Sequence, residues 1–269
     1  MAREICGADP AGAGVFVMGG YFKPGGELPG LYADEKTVTA IQIIAEAFNA
    51  NQADSGTYFS DNLFTVGRNL GFLSDERFIN AVEKALETTT ERSIVWRTHV
   101  LTWAAFTCLK LPGDFVECGC YCGKTAQAIS EYVRLDETDK RFFIYDVFEN
   151  PPDARHGMAD HSKGLYAQVK QRLSPYKHLL VTQGSVPEVL EDVSPDAISF
   201  MHIDMNSVSA ELGALHQLFD RVVKGGIIVF DDYGWAPYRA QKAAEDRFME
   251  ERGYKIVELP TGQGMMIKL

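Results

Sequence analysis

Residues 115–130, FVECGCYCGKTAQAIS, hold an apolar run ending in an acid, a cluster of three cysteines and two glycines, and the start of a helical pattern. Three chemistries compete for such a stretch. A phosphate loop needs a glycine, four residues and then Gly-Lys-Thr, so that backbone N–H groups wrap the phosphates. Here three residues separate Gly119 from Gly123, Cys118 stands where the first glycine should be, and Glu117 sets a negative charge beside an anionic ligand. A metal–thiolate site would use Cys118, Cys120 and Cys122. Structural zinc takes spaced pairs of ligands, and neither Cys6 nor Cys108 supplies a second pair. The competing reading is that small, easily buried thiols fill space beside a glycine turn.

The third chemistry is a cofactor turn: an acid closing a strand, then Gly-x-x-x-Gly opening a helix. A pyrophosphate would sit on the helix N-terminus, whereas the Glu117 carboxylate prefers a cation. S-adenosylmethionine offers a sulfonium and an ammonium, and it carries no phosphate. Asp146 closes the next apolar run, RFFIYDV, where it can accept from both ribose hydroxyls.

Outward from this turn, strand and helix patterns alternate. Strands are predicted at DFVEC (114–118), RFFIYDV (141–147), HLLVTQ (178–183), AISFMHID (197–204) and GIIVFDD (226–232). Helices fall between them at 124–135, 163–173, 187–192 and 208–222, a pattern that builds a parallel sheet covered on both faces. After a helix at about 237–252, YKIVELP and GMMIKL flank a glycine turn, so a hairpin brings in an antiparallel strand. Upstream, residues 1–33 read as a Gly/Pro-rich arm. Residues 34–49 show a helical stripe of Val38, Ile41, Ile44, Ala45 and Phe48 behind Asp34 as a cap. Residues 74–87 show another, with Ser74 as N-cap. A longer helix is expected from about Thr90 to Leu109, with Trp103 and Phe106 in the core.

Composition narrows the function. The net charge of −11 over 269 residues and the lack of a Lys/Arg cluster argue against a nucleic-acid partner. No apolar run reaches the ~20 residues of a membrane helix. Residues 11–22 make a poor signal peptide, and five cysteines, three of them crowded, do not form a secreted disulfide framework. A cytoplasmic location is expected.

A second constellation lies downstream. Asp204 ends the fourth predicted strand, and Asp231 and Asp232 end the fifth. Neighbouring strands of a doubly wound sheet present their carboxyl ends to one crevice. Three converging carboxylates repel unless a cation neutralises them, and all-oxygen ligation suits Mg2+, Mn2+ or Ca2+. The alternative leaves Asp204 as a helix cap and one of the aspartate pair solvated. His202 shares the strand face of Asp204 and is either a core histidine or a base. His156 and His161 fall in a loop after Asp146, as part of a lid or simply exposed. Tyr233 and Trp235 either wall a substrate or pack the next helix.

Together, FVECGCYCGKTA, YDVFENPP, HIDMN, LFDRVVKGGIIVFDDYGWAPYRAQKAAEDRF and LPTGQGMMIKL resemble the macrocin O-methyltransferase family of class I methyltransferases, from about Val95 to Leu269. The resemblance implies a doubly wound, seven-stranded, mostly parallel α/β sheet of Rossmann-like type. It has an antiparallel C-terminal strand and is preceded by an arm and helical extension over 1–94, with the methyltransferase domain over 95–269. It implies S-adenosylmethionine- and metal-dependent methylation of a sugar or aromatic hydroxyl in natural-product biosynthesis, by a homo-oligomer. The metal, Mg2+ or another hard cation, falls on Asp204, Asp231 and Asp232, and Asp204 is also the candidate base. Cofactor binding falls on Glu117, Gly119, Cys120, Tyr121, Gly123, Thr125, Asp146 and Ser185; Ser185 also reads as a cap for the short helix after it. Cys120 and Cys122 depart from the residues common in relatives. A P-loop nucleotide hydrolase and a non-catalytic cofactor-binding partner are the rival readings.

Overall fold

The computed structural model describes residues 36, 39, 40, 43, 44, 58–60, 63–65, 67–87, 89–92, 94–149 and 161–269. The expected arm, most of the helix at 34–49 and His156 lie outside them. The chain divides into two compact units, Met1–His99 and Val100–Leu269. Among the described residues, no helix is long and apolar enough to cross a membrane.

In the first unit, β1 (Tyr58–Ser60) pairs antiparallel with β2 (Leu63–Thr65). Helix α1 (Glu76–Ala85) buries Phe78, Ala81, Val82 and Ala85, one apolar stripe at helical spacing. Its N-cap is Asp75 rather than the expected Ser74. The Asp75 carboxylate accepts from the N–H groups of Arg77 and Phe78 and so satisfies two donors that helix geometry orphans. Ser74 instead ends a 3-10 turn, Gly71–Ser74. The single helix predicted from 90 to 109 is two, α2 (Thr89–Arg92) and α3 (Val95–Cys108).

The second unit is built on β3 (Asp114–Cys118), β4 (Phe142–Asp146), β5 (Leu179–Gln183), β6 (Ile198–Ile203), β7 (Val222–Phe230), β8 (Val257–Glu258) and β9 (Gly264–Ile267). They form one seven-stranded sheet in the order β5-β4-β3-β6-β7-β9-β8. Pairing is parallel from β5 to β7, and β9 runs antiparallel to both β7 and β8. This is the predicted architecture. The chain steps outward from β3 to β5 and then returns to β6 on the other side of β3. That reversal opens the ligand crevice of a doubly wound sheet at the carboxyl ends of β3 and β6.

Helices α4 (Lys124–Val133), α5 (Leu165–Leu173), α6 (Val189–Asp192), α7 (Val208–Leu218) and α8 (Arg239–Glu250) complete the layers. Side chains alternate across the sheet. Val116, Cys118, Tyr145, Met201, Ile203, Ile228 and Phe230 share a core with Ala214 and Leu215 of α7 and Phe248 and Met249 of α8. Phe115, Phe142, Ile144, Phe200, Ile227 and Val229 share the other with Leu101, Ala104 and Ala105 of α3, Ile129 of α4 and Val169 of α5. The buried stripe of α3 thus runs through 101, 104, 105 and 108. Trp103 and Phe106, expected in the core, fall off it and are 45% and 46% exposed.

Candidate active site

The parallel ladder continues one residue beyond the strands. Gly119 N–H donates to Tyr145 O (2.8 Å), Asp204 N–H to Cys118 O (2.8 Å) and Asp231 N–H to Ile203 O (3.0 Å). Extended backbone alternates faces with a period of two. Given the pairing Glu117–His202–Val229, it sets Glu117, His202, Asp204 and Asp231 on one face; the chain bends at Asp231 and Asp232, and the strand alternation ends there. One donor atom each from His202, Asp204 and Asp231 lies within 4.8 Å of the others. Asp232, expected as a third carboxylate, is not in this group. The imidazole of His202 joins Asp204 and Asp231 there.

Glu117 is wholly buried. Its Oε1 lies 2.9 Å from His202 Nδ1, while its Oε2 has no hydrogen-bond partner. Burial, the largest influence, pushes the Glu117 carboxyl up, against the pull of His202. His202 Nε2 is 3.6 Å from Asp231 Oδ1, too far for a hydrogen bond. Burial opposes a charged imidazole here, but Asp231 and Glu117 outweigh it and raise His202 to about 10. Asp231 Oδ1 also accepts from Gln263 Nε2 (3.0 Å), and the Gln263 amide oxygen accepts from Thr261 Oγ (2.9 Å). Gln263 is fully buried. It lies in the TGQG turn, which the sequence marks as a hairpin without marking the glutamine as part of the site.

The turn after β3 is shaped by Asp146. Its Oδ2 accepts from the N–H groups of Cys120 (2.9 Å) and Tyr121 (2.8 Å). Its Oδ1 accepts from Phe148 N–H (2.7 Å) and faces His161 Nε2 (3.1 Å). A carboxylate offers about four lone-pair sites, and here four protein groups address them. Burial works against the charge, yet His161 and the N–H groups of Phe148 and Tyr121 hold the carboxyl below its usual range. His161 tilts against Tyr121, ring centroids 5.4 Å apart. Tyr121 itself has φ +46°, and Gly123, at φ +77°, opens α4 with no side-chain cap.

The remaining expected residues divide. Thr125, the second residue of α4, is half-buried. Ser185 is exposed, and its carbonyl, not its hydroxyl, receives Val189 N–H at 2.9 Å. Asp204 does not cap α7; Ser207 does, accepting from Ala210 N–H. Tyr233 is 3% exposed, packs in the α7–α8 core and donates to Asp246, so it holds α8.

Cys118 and Cys120 point into opposite cores of the sheet, which is packing. Burial pushes both thiols upward, as it does Cys108, and it is the thiolate that reacts. Iodoacetamide should therefore label Cys122, which is half-buried, before Cys108, Cys118 or Cys120, the last three only on denaturation. Mass-spectrometric mapping reads this directly; Cys120 labelling as fast as Cys122 would contradict the packing role.

The sheet order, the antiparallel last strands and the switch-point turn define a methyltransferase-type Rossmann-like fold. Residues 116–233 match the family described as "Methyltransferase domain". Among solved structures, the O-methyltransferase NovP is 18% identical, covering 65% of this chain and 80% of that one, with a TM-score of 0.56. The calicheamicin methyltransferase CalS11 is 15% identical over 90% of this chain and 97% of its own, also with a TM-score of 0.56. Its apo form, described as a TDP-rhamnose 3'-O-methyltransferase, gives 14%, 90%, 99% and 0.54. At such identities the likeness is one of fold. No curated protein sequence matches the chain.

Proposed function

We propose that this protein is an S-adenosylmethionine-dependent O-methyltransferase acting on a hydroxyl of a small molecule, with the domain assigned to residues 95–269. The observation that carries the reading is Glu117: a fully buried carboxyl at the foot of the switch-point turn, with one oxygen unpartnered. An unsatisfied buried acceptor costs about 1–3 kcal/mol, more when charged, so the turn suits a ligand that brings a cationic donor. The methyltransferase-domain match over 116–233 supports the same assignment. Likeness to a TDP-rhamnose 3'-O-methyltransferase favours a sugar hydroxyl.

When bound, the cofactor supplies an electrophilic methyl group, and a divalent cation supplies the charge that acidifies a hydroxyl. Asp204 and Asp231 with the imidazole of His202, and the strand-end carboxylate of Asp232, are the residues that would hold such a cation. Without a metal, Asp231 and Glu117 hold the His202 imidazole as a cation, so its Nε2 must give up a proton before His202 can ligate a divalent ion, with Glu117 at Nδ1 orienting the ring. An imidazole among the donors moves the preference from magnesium towards manganese or iron. Asp204, half-buried beside this group, is the base that accepts the hydroxyl proton. Gln263 keeps Asp231 in place, and Asp146 holds the turn.

Calorimetry tests the cofactor. S-adenosylmethionine or its demethylated product should bind, and ATP and NAD should not. Glu117→Gln should weaken binding about 10- to 100-fold, the worth of one hydrogen bond to a charged group. Tight ATP binding that survives Glu117→Gln would favour a nucleotide hydrolase instead.

A further inference from the structure

Behind the site, α7 and α8 meet where Gln241 reaches Glu211, and Glu245 lies one turn on from Gln241 on the same face of α8, which sets it beside Glu211. Glu211 and Glu245 are each 3% exposed. Glu211 Oε1 accepts from Gln241 Nε2 (2.9 Å) and from Met205 N–H (3.3 Å). The Oε2 atoms of both glutamates are buried, and no hydrogen-bond donor serves them. Two carboxylates have no proton to offer each other. One carboxylic acid has.

The charges around the pair do not relieve it. Asp246, on α8, adds negative charge to Glu245, and Lys242, one of three cations on that helix with Arg239 and Arg247, offsets it. The Lys242 Nζ is already engaged, 3.2 Å from Asp246, 3.7 Å from Glu258 and 3.8 Å from the centre of the Tyr233 ring. On the sheet side stands Cys118, whose thiol burial keeps neutral. Two anions held together in an apolar interior would repel, and such a pair retains one proton.

We infer that Glu211 and Glu245 share one proton, Glu245 donating to Glu211, and that this acid pair positions the loop that carries Asp204. Glu211 grips the backbone directly after Asp204, through the Met205 N–H. Its hold depends on staying beside Glu245. Loss of the proton leaves two anions and pulls that grip apart. Burial first, then the Glu211 charge, raises the Glu245 carboxyl to about 9, so the pair is intact at neutral pH. The role towards Asp204 rests on the function proposed above; the shared proton does not.

The test replaces the acid with an amide that donates at every pH, Glu245→Gln. Hydrogen exchange of the Met205 amide is followed by NMR from pH 6 to pH 10, corrected for intrinsic base catalysis. Opening the loop releases the shared proton, so wild-type protection should fall by up to tenfold per pH unit below about pH 9 and level off above it, and Glu245→Gln should show no such slope. Isotope-edited infrared spectroscopy of the wild type gives a second measurement that needs no variant to fold. A protonated carboxylic acid band should be present at pH 7 and vanish by pH 10. A missing band at pH 7, or the same slope of protection in Glu245→Gln, overturns the inference. S-adenosylmethionine calorimetry on the same samples separates the two proposals: no binding removes the methyltransferase reading and leaves the shared proton standing.

Discussion

Gly119→Ala should give a chain that does not reach a native thermal transition, while Gly164→Ala should fold with a modest loss. Both glycines have positive φ, +86° and +96°, so each alanine bears the left-handed penalty of about 1–2 kcal/mol. They differ in space. Around Gly164 nothing lies within 4 Å of an added Cβ, whereas at Gly119 that atom would stand 1.7 Å from Asp204 O and 2.5 Å from its carbonyl carbon. Neither strand end can retreat, because Gly119 N–H is bound to Tyr145 O and Asp204 N–H to Cys118 O. The clash should cost more than ~4 kcal/mol, the exceptional end of point-mutant effects, against a total stability of about 5–15 kcal/mol. Circular-dichroism melts of the pair decide it. Equal midpoints would mean that the ends of β3 and β6 separate more easily than their ladder implies.

Chelation should abolish methyl transfer, and added manganese or magnesium should restore it. Asp204→Asn should lose about 10²- to 10⁴-fold in turnover, the range for a general base, and excess metal should not recover it. Asp231→Asn should regain part of its rate at high metal, since Gln263 still holds that position. Asp232→Asn, which removes a third strand-end carboxylate, should likewise weaken metal binding and regain part of its rate in excess metal. Turnover is read as release of demethylated cofactor across a hydroxylated-metabolite library. Mn2+ affinity, from electron paramagnetic resonance, needs no acceptor at all. Full activity in EDTA, with Asp204→Asn and Asp231→Asn both active, would sink the metal mechanism and leave the methyltransferase assignment intact.

The sheet was legible because each parallel strand is an apolar run that closes on a polar residue. The strand-end acids Glu117, Asp146, Asp204 and Asp231 stood out for the same reason. That Asp231 stays in the ladder one residue past Phe230 is shown only by its hydrogen bond to Ile203. Gln263 was unreadable for a related reason. The antiparallel register pairs Phe230 with Gly264, which carries the preceding residue, Gln263, alongside Asp231, and nothing local in TGQG encodes that pairing. Asp146 was found, but its partners were not, because its acceptor sites are taken by a turn distant in sequence. At the N-cap of α1, Ser74 and Asp75 are both good caps, and one residue of register chose between them.

The way Asp146 holds the turn after β3 has a thermodynamic consequence. Fixing a residue's backbone costs about 1–2 kcal/mol in entropy, and for Cys120 and Tyr121 that cost is met when the protein folds, by the Asp146 carboxylate. A ligand arriving at this turn therefore meets a surface that is already set. Association there should be limited by encounter rather than by loop ordering, and its heat-capacity change should reflect the apolar surface buried by the ligand alone, with no component from a segment that folds around it.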